Sequence, residues 1–184
     1  MKYSILQSLQ LSHFQQMYLL ELTYYKVAFI TPAEEAYNWY KRFPNSTIAA
    51  ANEQGDIIGF INLFPVQPHI FKQIENGTFN DAELKVEDIV DITKNEEPLQ
   101  MFLSCIVVSD SYRGFGVTQL LLKTAKEQYK SVEHRCQYII TDNITDAGQH
   151  FSQKYGFMKQ QATKHQSIIY KQRYADFVKL VTAI

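Results

Sequence analysis

The spacing of hydrophobic and polar residues predicts alternating helices and strands in the first third of the chain. A short strand is expected at 2–7, followed by a helix that Ser12 caps. The apolar residues of this helix recur at helical spacing: Phe14, Met17, Tyr18, Leu22 and Tyr25. A capping-box pattern at 31–34 starts a second helix. Two strand-like runs follow, at 46–52 and 56–64, with a hairpin turn signal between them.

The second half of the chain has a more strongly apolar pattern. Leu99–Val108 is nearly continuous apolar sequence, which is typical of a strand buried on both faces. The next apolar positions, at 117–125, mark one face of a helix. Four further elements are expected: a buried strand at 138–141, a helix at 146–155 ending at Gly156, a strand at 166–172 and a helix at 175–184.

Composition narrows the class of protein. A chain of 184 residues, 46 % of them hydrophobic, fits one domain with a sizeable core. The net charge of −1 gives no case for binding nucleic acid or an anionic membrane. No apolar run approaches the roughly 18 residues of a membrane span, and no secretory signal is visible. We therefore expect a cytoplasmic protein, with a homodimer left open.

The two cysteines, Cys105 and Cys136, give no sign of a metal site. Neither lies in a Cys-x-x-Cys pair, and no histidine stands at zinc spacing from them. Free buried thiols in a reducing compartment are the expected state, and we predict no metal.

The segment 70–97 is more acidic than the rest of the chain. It holds eight acidic residues against three lysines, a local balance of −5. One interpretation is a solvated face on a partly helical insertion, at about 68–97. The other is a lip beside the substrate that attracts a cationic acceptor.

The chemistry is expected in the turn Ser111–Thr118, between the buried strand and the amphipathic helix. The first turn of a helix offers unpaired N–H groups and a positive dipole to an anion. Gly114 and Gly116 allow close backbone approach, and Arg113 adds donors suited to phosphate oxygens. The P-loop lysine and the third glycine of a dinucleotide fingerprint are both missing here.

At this point the chain resembles the GNAT acetyltransferase family, whose loop reads Gln/Arg-x-x-Gly-x-Gly/Ala. Here the loop is Arg113-Gly114-Phe115-Gly116-Val117-Thr118, with Thr118 in place of the last small residue. A second match is the family helix that closes on Gly-Phe, here 145–157 ending in Gly156-Phe157. The resemblance extends over about 99–172.

The resemblance implies a fold and a cofactor. The fold is α/β (α+β): a mixed, mostly antiparallel sheet, splayed at the acetyl-CoA cleft and flanked by helices, with 1–184 as a single domain. Acetyl-CoA is the implied acyl donor. Its pantetheine arm would lie along Ile106, Val107 and Val108, and its pyrophosphate on Arg113, Gly114, Phe115, Gly116, Val117 and Thr118. Asn143 is counted with these cofactor-binding residues.

The reaction that the resemblance implies is direct attack by a primary amine, of a small molecule or a peptide, on the thioester. A lysine-like amine is only about 0.04 % neutral at pH 7, so a general base is useful. The family's acidic tyrosine falls at Ser152, and Tyr155 one turn later is a substitute candidate. Tyr24 and Tyr25 belong either to the helix core or to an acceptor pocket. The alternative function is a non-catalytic acyl-CoA-binding module or sensor.

Overall fold

The computed structural model describes residues 2–94, 96–163 and 166–183. Its strands are β1 (Tyr3–Ile5), β2 (Thr47–Asn52), β3 (Ile57–Val66), β4 (Leu99–Val108), β5 (Cys136–Asn143), β6 (Met158–Ala162) and β7 (Ile168–Arg173). Its α-helices are α1 (Leu11–Glu21), α2 (Ala33–Arg42), α3 (Pro68–Glu75), α4 (Val117–Tyr129), α5 (Asp146–Lys154) and α6 (Tyr174–Thr182). The sequence extends the last helix to 184, a residue outside the described ranges.

The described strands form one mixed sheet in the order β1-β2-β3-β4-β5-β7-β6. Only the β4–β5 pair is parallel, and the other neighbours are antiparallel. The predicted α/β class, with a mostly antiparallel sheet flanked by helices, is therefore confirmed. β4 has the predicted bounds, because its apolar side chains are buried on both faces of the sheet.

Both predicted helix starts were misplaced. The N-cap of α1 is Gln10, not Ser12, and His13 completes its capping box. The N-cap of α2 is Pro32, and no side chain caps this helix. The pattern at 31–34 therefore placed the N-terminus of α2 within one residue of its observed position, but Thr31 does not cap the helix.

The sheet opens between its two central strands. β4 pairs with β5 only from Leu99 to Phe102, while β5 continues along β7 as far as Asn143. The β3–β4 register also shifts between Asn62 and Leu63, which leaves Ser104 as an extra residue, a β-bulge. The predicted splay is thus present, and the second half of β4 faces a gap.

Helices cover both faces of the sheet. On one face, α4 and α6 pack on the largest core cluster, which includes Leu121, Phe177 and Val181. On the other face, α1 and α2 pack through Phe14 and neighbouring aromatic side chains. The acidic segment begins with α3, whose apolar side packs in a third cluster with Trp39. The segment is therefore attached to the sheet, with its charged residues largely outside the core.

Candidate active site

The turn after β4 prepares the first turn of α4 for an anion. A 3-10 turn at Asp110–Tyr112 leads to Gly114 and Gly116, whose φ angles are 80° and 89°. Gly116 is the N-cap of α4, and no side chain caps this helix. The left-handed backbone that only glycine adopts cheaply therefore brings the chain into α4. The N–H groups of the first helical turn lack intrahelical acceptors, as phosphate binding requires.

Arg113 is held beside this turn by three contacts. Its Nη1 lies 2.9 Å from Asp110 Oδ1, and its Nε donates to the Val108 carbonyl at 3.3 Å. Its guanidinium also lies 4.8 Å from the centre of the Tyr24 ring. The Tyr24 hydroxyl donates to Asp110 Oδ1 at 2.9 Å, so Tyr24 and Asp110 orient the arginine together.

The N-terminal strand also supports the turn. The Tyr3 hydroxyl donates to the carbonyl of Phe115, across 112 residues of sequence. The Phe115 side chain is 54 % exposed at the tip of the turn. β1 therefore fixes the backbone of the turn while one aromatic side chain stays available at the surface.

A groove runs from this turn along the open half of β4. Six of the predicted cofactor-binding residues line it: Ile106, Val107, Val108, Arg113, Gly114 and Thr118. The opposite wall comes from the start of α5, including Thr145, Gly148 and Phe151. Three other predicted residues, Phe115, Gly116 and Val117, belong to the turn but not to this lining, and Val117 is buried in the core. The tenth, Asn143, lines the cavity next to the groove.

That cavity continues the groove past Ile106. The two share Tyr25, Ile106, Thr145, Gly148 and Phe151 as lining residues. The cavity is further lined by residues from α1, β3, β4 and the acidic segment: Glu21, Asn62, Asp81, Ser104 and Cys105. Tyr25 is a sequence-predicted candidate for an acceptor pocket, whereas Glu21, Asn62 and Asp81 carry no sequence signal of their own for this site.

The family model for the GNAT acetyltransferases matches residues 14–157, more than half of the chain. The chain belongs to the GNAT acetyltransferase family. This confirms the resemblance drawn from the turn and from the Gly-Phe helix. A search of curated proteins found no match.

Solved GNAT structures share the fold across almost their full length. The loading GNATL domain of CurA from Lyngbya majuscula superposes with a TM-score of 0.64 at 12 % identity, covering 95 % of this chain and 98 % of that one. A GNAT acetyltransferase from Staphylococcus aureus Mu50 gives 0.60 at 16 % identity, covering 94 % and 99 %. Arabidopsis thaliana Naa50, in complex with the bisubstrate analogue CoA-Ac-MVNAL, gives 0.59 at 12 % identity, covering 94 % and 99 %. At these identities the likeness shows the fold alone.

The cavity of this GNAT domain carries two perturbed carboxyl groups. Burial raises the pKa of Glu21 from its ordinary value of 4.5 to about 7, against a hydrogen bond from the Cys105 thiol. Burial likewise raises the pKa of Asp81 from 3.8 to about 7, although Ser104 Oγ donates to its Oδ2 at 2.9 Å. Burial also raises the pKa of Cys105 and of Tyr25, so both remain protonated at neutral pH.

Ser152 lies within α5, and Tyr155 is the C-cap residue of the same helix. Ser152 is 0 % exposed, and its Oγ accepts a hydrogen bond from Asn143 Nδ2 at 2.6 Å. Tyr155 is 2 % exposed, and its ring packs against Phe151 with centroids 4.6 Å apart. Burial raises the pKa of the Tyr155 hydroxyl, which makes it a weaker acid. Their role as acids stays a prediction, while their contacts favour a role in packing.

Within 2–94, 96–163 and 166–183, no group of three or more His, Cys, Asp or Glu side chains is arranged to hold a metal ion. None of the helices in those ranges has the length and apolar character needed to cross a bilayer.

Proposed function

We propose that this chain transfers the acetyl group of acetyl-CoA to a primary amine by direct attack, with a small molecule or a peptide as the acceptor. The observation that supports this most strongly is the continuity of the groove and the cavity at Ile106, where β4 has left β5. A donor in the groove and an acceptor in the cavity would meet there. Such proximity makes a large contribution to the rate of a two-substrate transfer.

The donor half of the proposal assigns the pyrophosphate to 113–118 and the pantetheine arm to Ile106, Val107 and Val108. The left-handed glycines, the open first turn of α4 and the arginine held by Tyr24 support the first assignment. The unpaired edge of β4 supports the second, because pantetheine amides need backbone partners. Asn143 is assigned to the wall where the arm would end.

The acceptor half assigns the cavity to the amine. The negative charge is local: the chain as a whole is nearly neutral, while the cavity and the segment 68–97 are acidic. We propose this segment as an insertion in one GNAT domain of 1–184 that forms the acceptor-side wall and favours a cationic acceptor. The bisubstrate analogue on the Arabidopsis neighbour supports a peptide amine as one acceptor class.

We also propose a cytoplasmic location. The two cysteines are buried and unpaired, as is usual in a reducing compartment.

The alternative is a GNAT domain that binds acyl-CoA without transferring it. One observation favours it: the position of the family's acidic tyrosine holds Ser152, whose hydroxyl is buried and bonded to Asn143. A serine hydroxyl is a far weaker acid than a phenol.

Calorimetric titration with CoA tests the premise that both functions share. We expect Arg113→Ala to weaken CoA binding by at least about tenfold, since hydrogen bonds to charged groups contribute about 1.5–3 kcal/mol. Lys179→Ala, which removes an exposed positive charge on α6, is the matched control and should bind CoA as the parent chain does. Equal affinities for all three chains would contradict the proposed phosphate site.

Release of the CoA thiol from acetyl-CoA, followed across a panel of primary amines, separates the two functions. Turnover with any amine supports the transferase. Tight CoA binding without thiol release for every amine favours the binding module.

A further inference from the structure

The β-bulge in β4 gathers polar side chains from four elements at the cavity floor. Ser104, the extra residue of the bulge, donates to Asp81 from the acidic segment at 2.9 Å. The next residue, Cys105, lies beside Glu21 at the end of α1, where a hydrogen bond from its thiol group partly offsets the rise in the pKa of that carboxyl group. Cys105 is also the cross-strand partner of Asn62 on β3. Two carboxyl groups and one amide are therefore brought to one point of the cavity.

The described lining of this cavity is negatively charged. It contains three carboxyl side chains, Glu21, Asp81 and Asp142, and no lysine, arginine or histidine. The remaining titratable groups facing them are the Tyr25 hydroxyl and the Cys105 thiol, which are neutral. The carboxyl groups of Glu21 and Asp81 would attract the ammonium group of a ligand here.

Asn62 adds a hydrogen-bond donor that the described residues leave unused. Its side chain is 9 % exposed and lines the cavity. Its Oδ1 accepts a hydrogen bond from Thr47 Oγ1 at 2.9 Å, which fixes the orientation of the amide. Its Nδ2 donates to no residue in the described part of the chain. This N–H group is therefore available at the cavity wall, where a ligand oxygen can accept from it.

We propose that the cavity binds an acceptor whose primary amine stands next to a carbonyl group, as in an amino-acid amide or the N-terminus of a peptide. The ammonium group lies against Glu21 and Asp81, and the carbonyl oxygen accepts from Asn62 Nδ2. This inference deepens the proposed transferase function and rests on it.

The transfer step balances with these groups alone. One ammonium proton passes to a cavity carboxylate, and the neutral nitrogen attacks the thioester carbonyl carbon. A C–N bond forms and the C–S bond breaks. The second proton leaves the nitrogen and ends on the departing sulfur, which gives the CoA thiol. Carboxyl groups with a pKa of about 7 suit the first transfer near neutral pH.

A comparison of two acceptors of similar size tests the role of Asn62. Glycinamide carries the neighbouring carbonyl and n-propylamine does not. We expect Asn62→Leu to lower the ratio of kcat/KM for glycinamide over n-propylamine by about tenfold, the loss of one buried hydrogen bond. Asn62→Asp keeps the shape and the bond from Thr47 but removes the donor, so it should lower the ratio as well. The intrinsic reactivity of each amine cancels when the two ratios are compared.

Asp81→Asn is the matched control. It weakens the attraction for any ammonium group, so KM should rise for both amines while their ratio stays near that of the parent chain. Titration of each amine into the CoA-loaded chain measures the same preference as a ratio of Kd values, without turnover.

The outcomes separate this inference from the transferase function. Turnover of both amines with an unchanged ratio in both Asn62 variants overturns the inference and leaves the transferase standing. Absence of turnover, together with glycinamide binding that depends on Asn62, overturns the transferase and leaves the binding site standing.

Discussion

At the scale of single residues, the buried hydroxyl groups of Ser152 and Tyr155 differ in whether they have a hydrogen-bond partner. Ser152 Oγ accepts from Asn143 Nδ2 at 2.6 Å, whereas the Tyr155 hydroxyl is buried without a hydrogen-bond partner among the described residues. A buried polar group without a partner costs free energy, so its removal is neutral or favourable. The sequence-based prediction of an acid role can therefore be tested at both positions.

We expect Tyr155→Phe to leave the free energy of unfolding unchanged or to raise it by up to about 1 kcal/mol, with kcat unchanged. Ser152→Ala should lower the free energy of unfolding by about 1–3 kcal/mol, because it leaves the Asn143 amide without its acceptor. Urea unfolding and thiol release measure the two effects. A tenfold loss of kcat in Tyr155→Phe, with normal stability, would instead establish Tyr155 as the acid.

At the scale of elements, β1 and the turn before α4 form one unit. An alanine at Gly116 would place its Cβ 3.2 Å from the Tyr3 hydroxyl, whereas one at Gly114 meets nothing within 4 Å. Both positions have positive φ, so each alanine costs about 1–2 kcal/mol of backbone strain. We expect Gly116→Ala to cost more than Gly114→Ala and to weaken CoA binding more.

A double-mutant cycle with Tyr3→Phe isolates the additional loss of stability expected for Gly116→Ala relative to Gly114→Ala. Removal of the Tyr3 hydroxyl should relieve the excess of Gly116→Ala and have no such effect on Gly114→Ala. Urea unfolding measures the cycle, and additive free energies at both glycines would show that the Tyr3 hydroxyl does not restrict the residue at position 116.

The elements also show what the sequence could predict. The bounds of β4 were predicted because both faces of that strand are buried, which requires continuous apolar residues. β6 was missed because all five of its residues are exposed and carry no alternation. Glu21 was missed at the site because a charge at a helix end is ordinarily solvated. The bulge at Ser104, which arranges the cavity, depends on strand register and leaves no local signal.

At the scale of the whole molecule, the two proposed substrates meet opposite electrostatic environments. The turn offers helix N–H groups and Arg113 to an anionic cofactor. The cavity offers the carboxyl groups of Glu21 and Asp81 to a cation, on the other side of Ile106. The net charge of −1 is therefore the sum of local regions of opposite sign. Because like charges repel, each proposed substrate is expected to bind poorly in the other's site.

The raised carboxyl pKa values also predict how the stability of the whole chain varies with pH. Glu21 and Asp81 have folded-state pKa values of about 7, above their ordinary 4.5 and 3.8. Between these limits the folded chain binds protons that the unfolded chain has released, so stability falls as pH rises. The slope is at most about 1.4 kcal/mol per pH unit for each group. Cys105 titrates above this window, because burial raises its pKa as well.

We therefore expect the free energy of unfolding, measured with urea at several pH values from about 5 to 8, to contain a falling component that Glu21→Gln and Asp81→Asn each reduce. Asp176→Asn is the control: this exposed carboxyl has a lowered pKa, so its contribution to stability is lost only below about pH 4. A slope that stays the same in both cavity variants would show that neither carboxyl group holds a proton in the folded chain near neutral pH. The proton acceptor for the amine would then have to lie elsewhere, because a carboxyl group with an ordinary pKa is a weak base at pH 7.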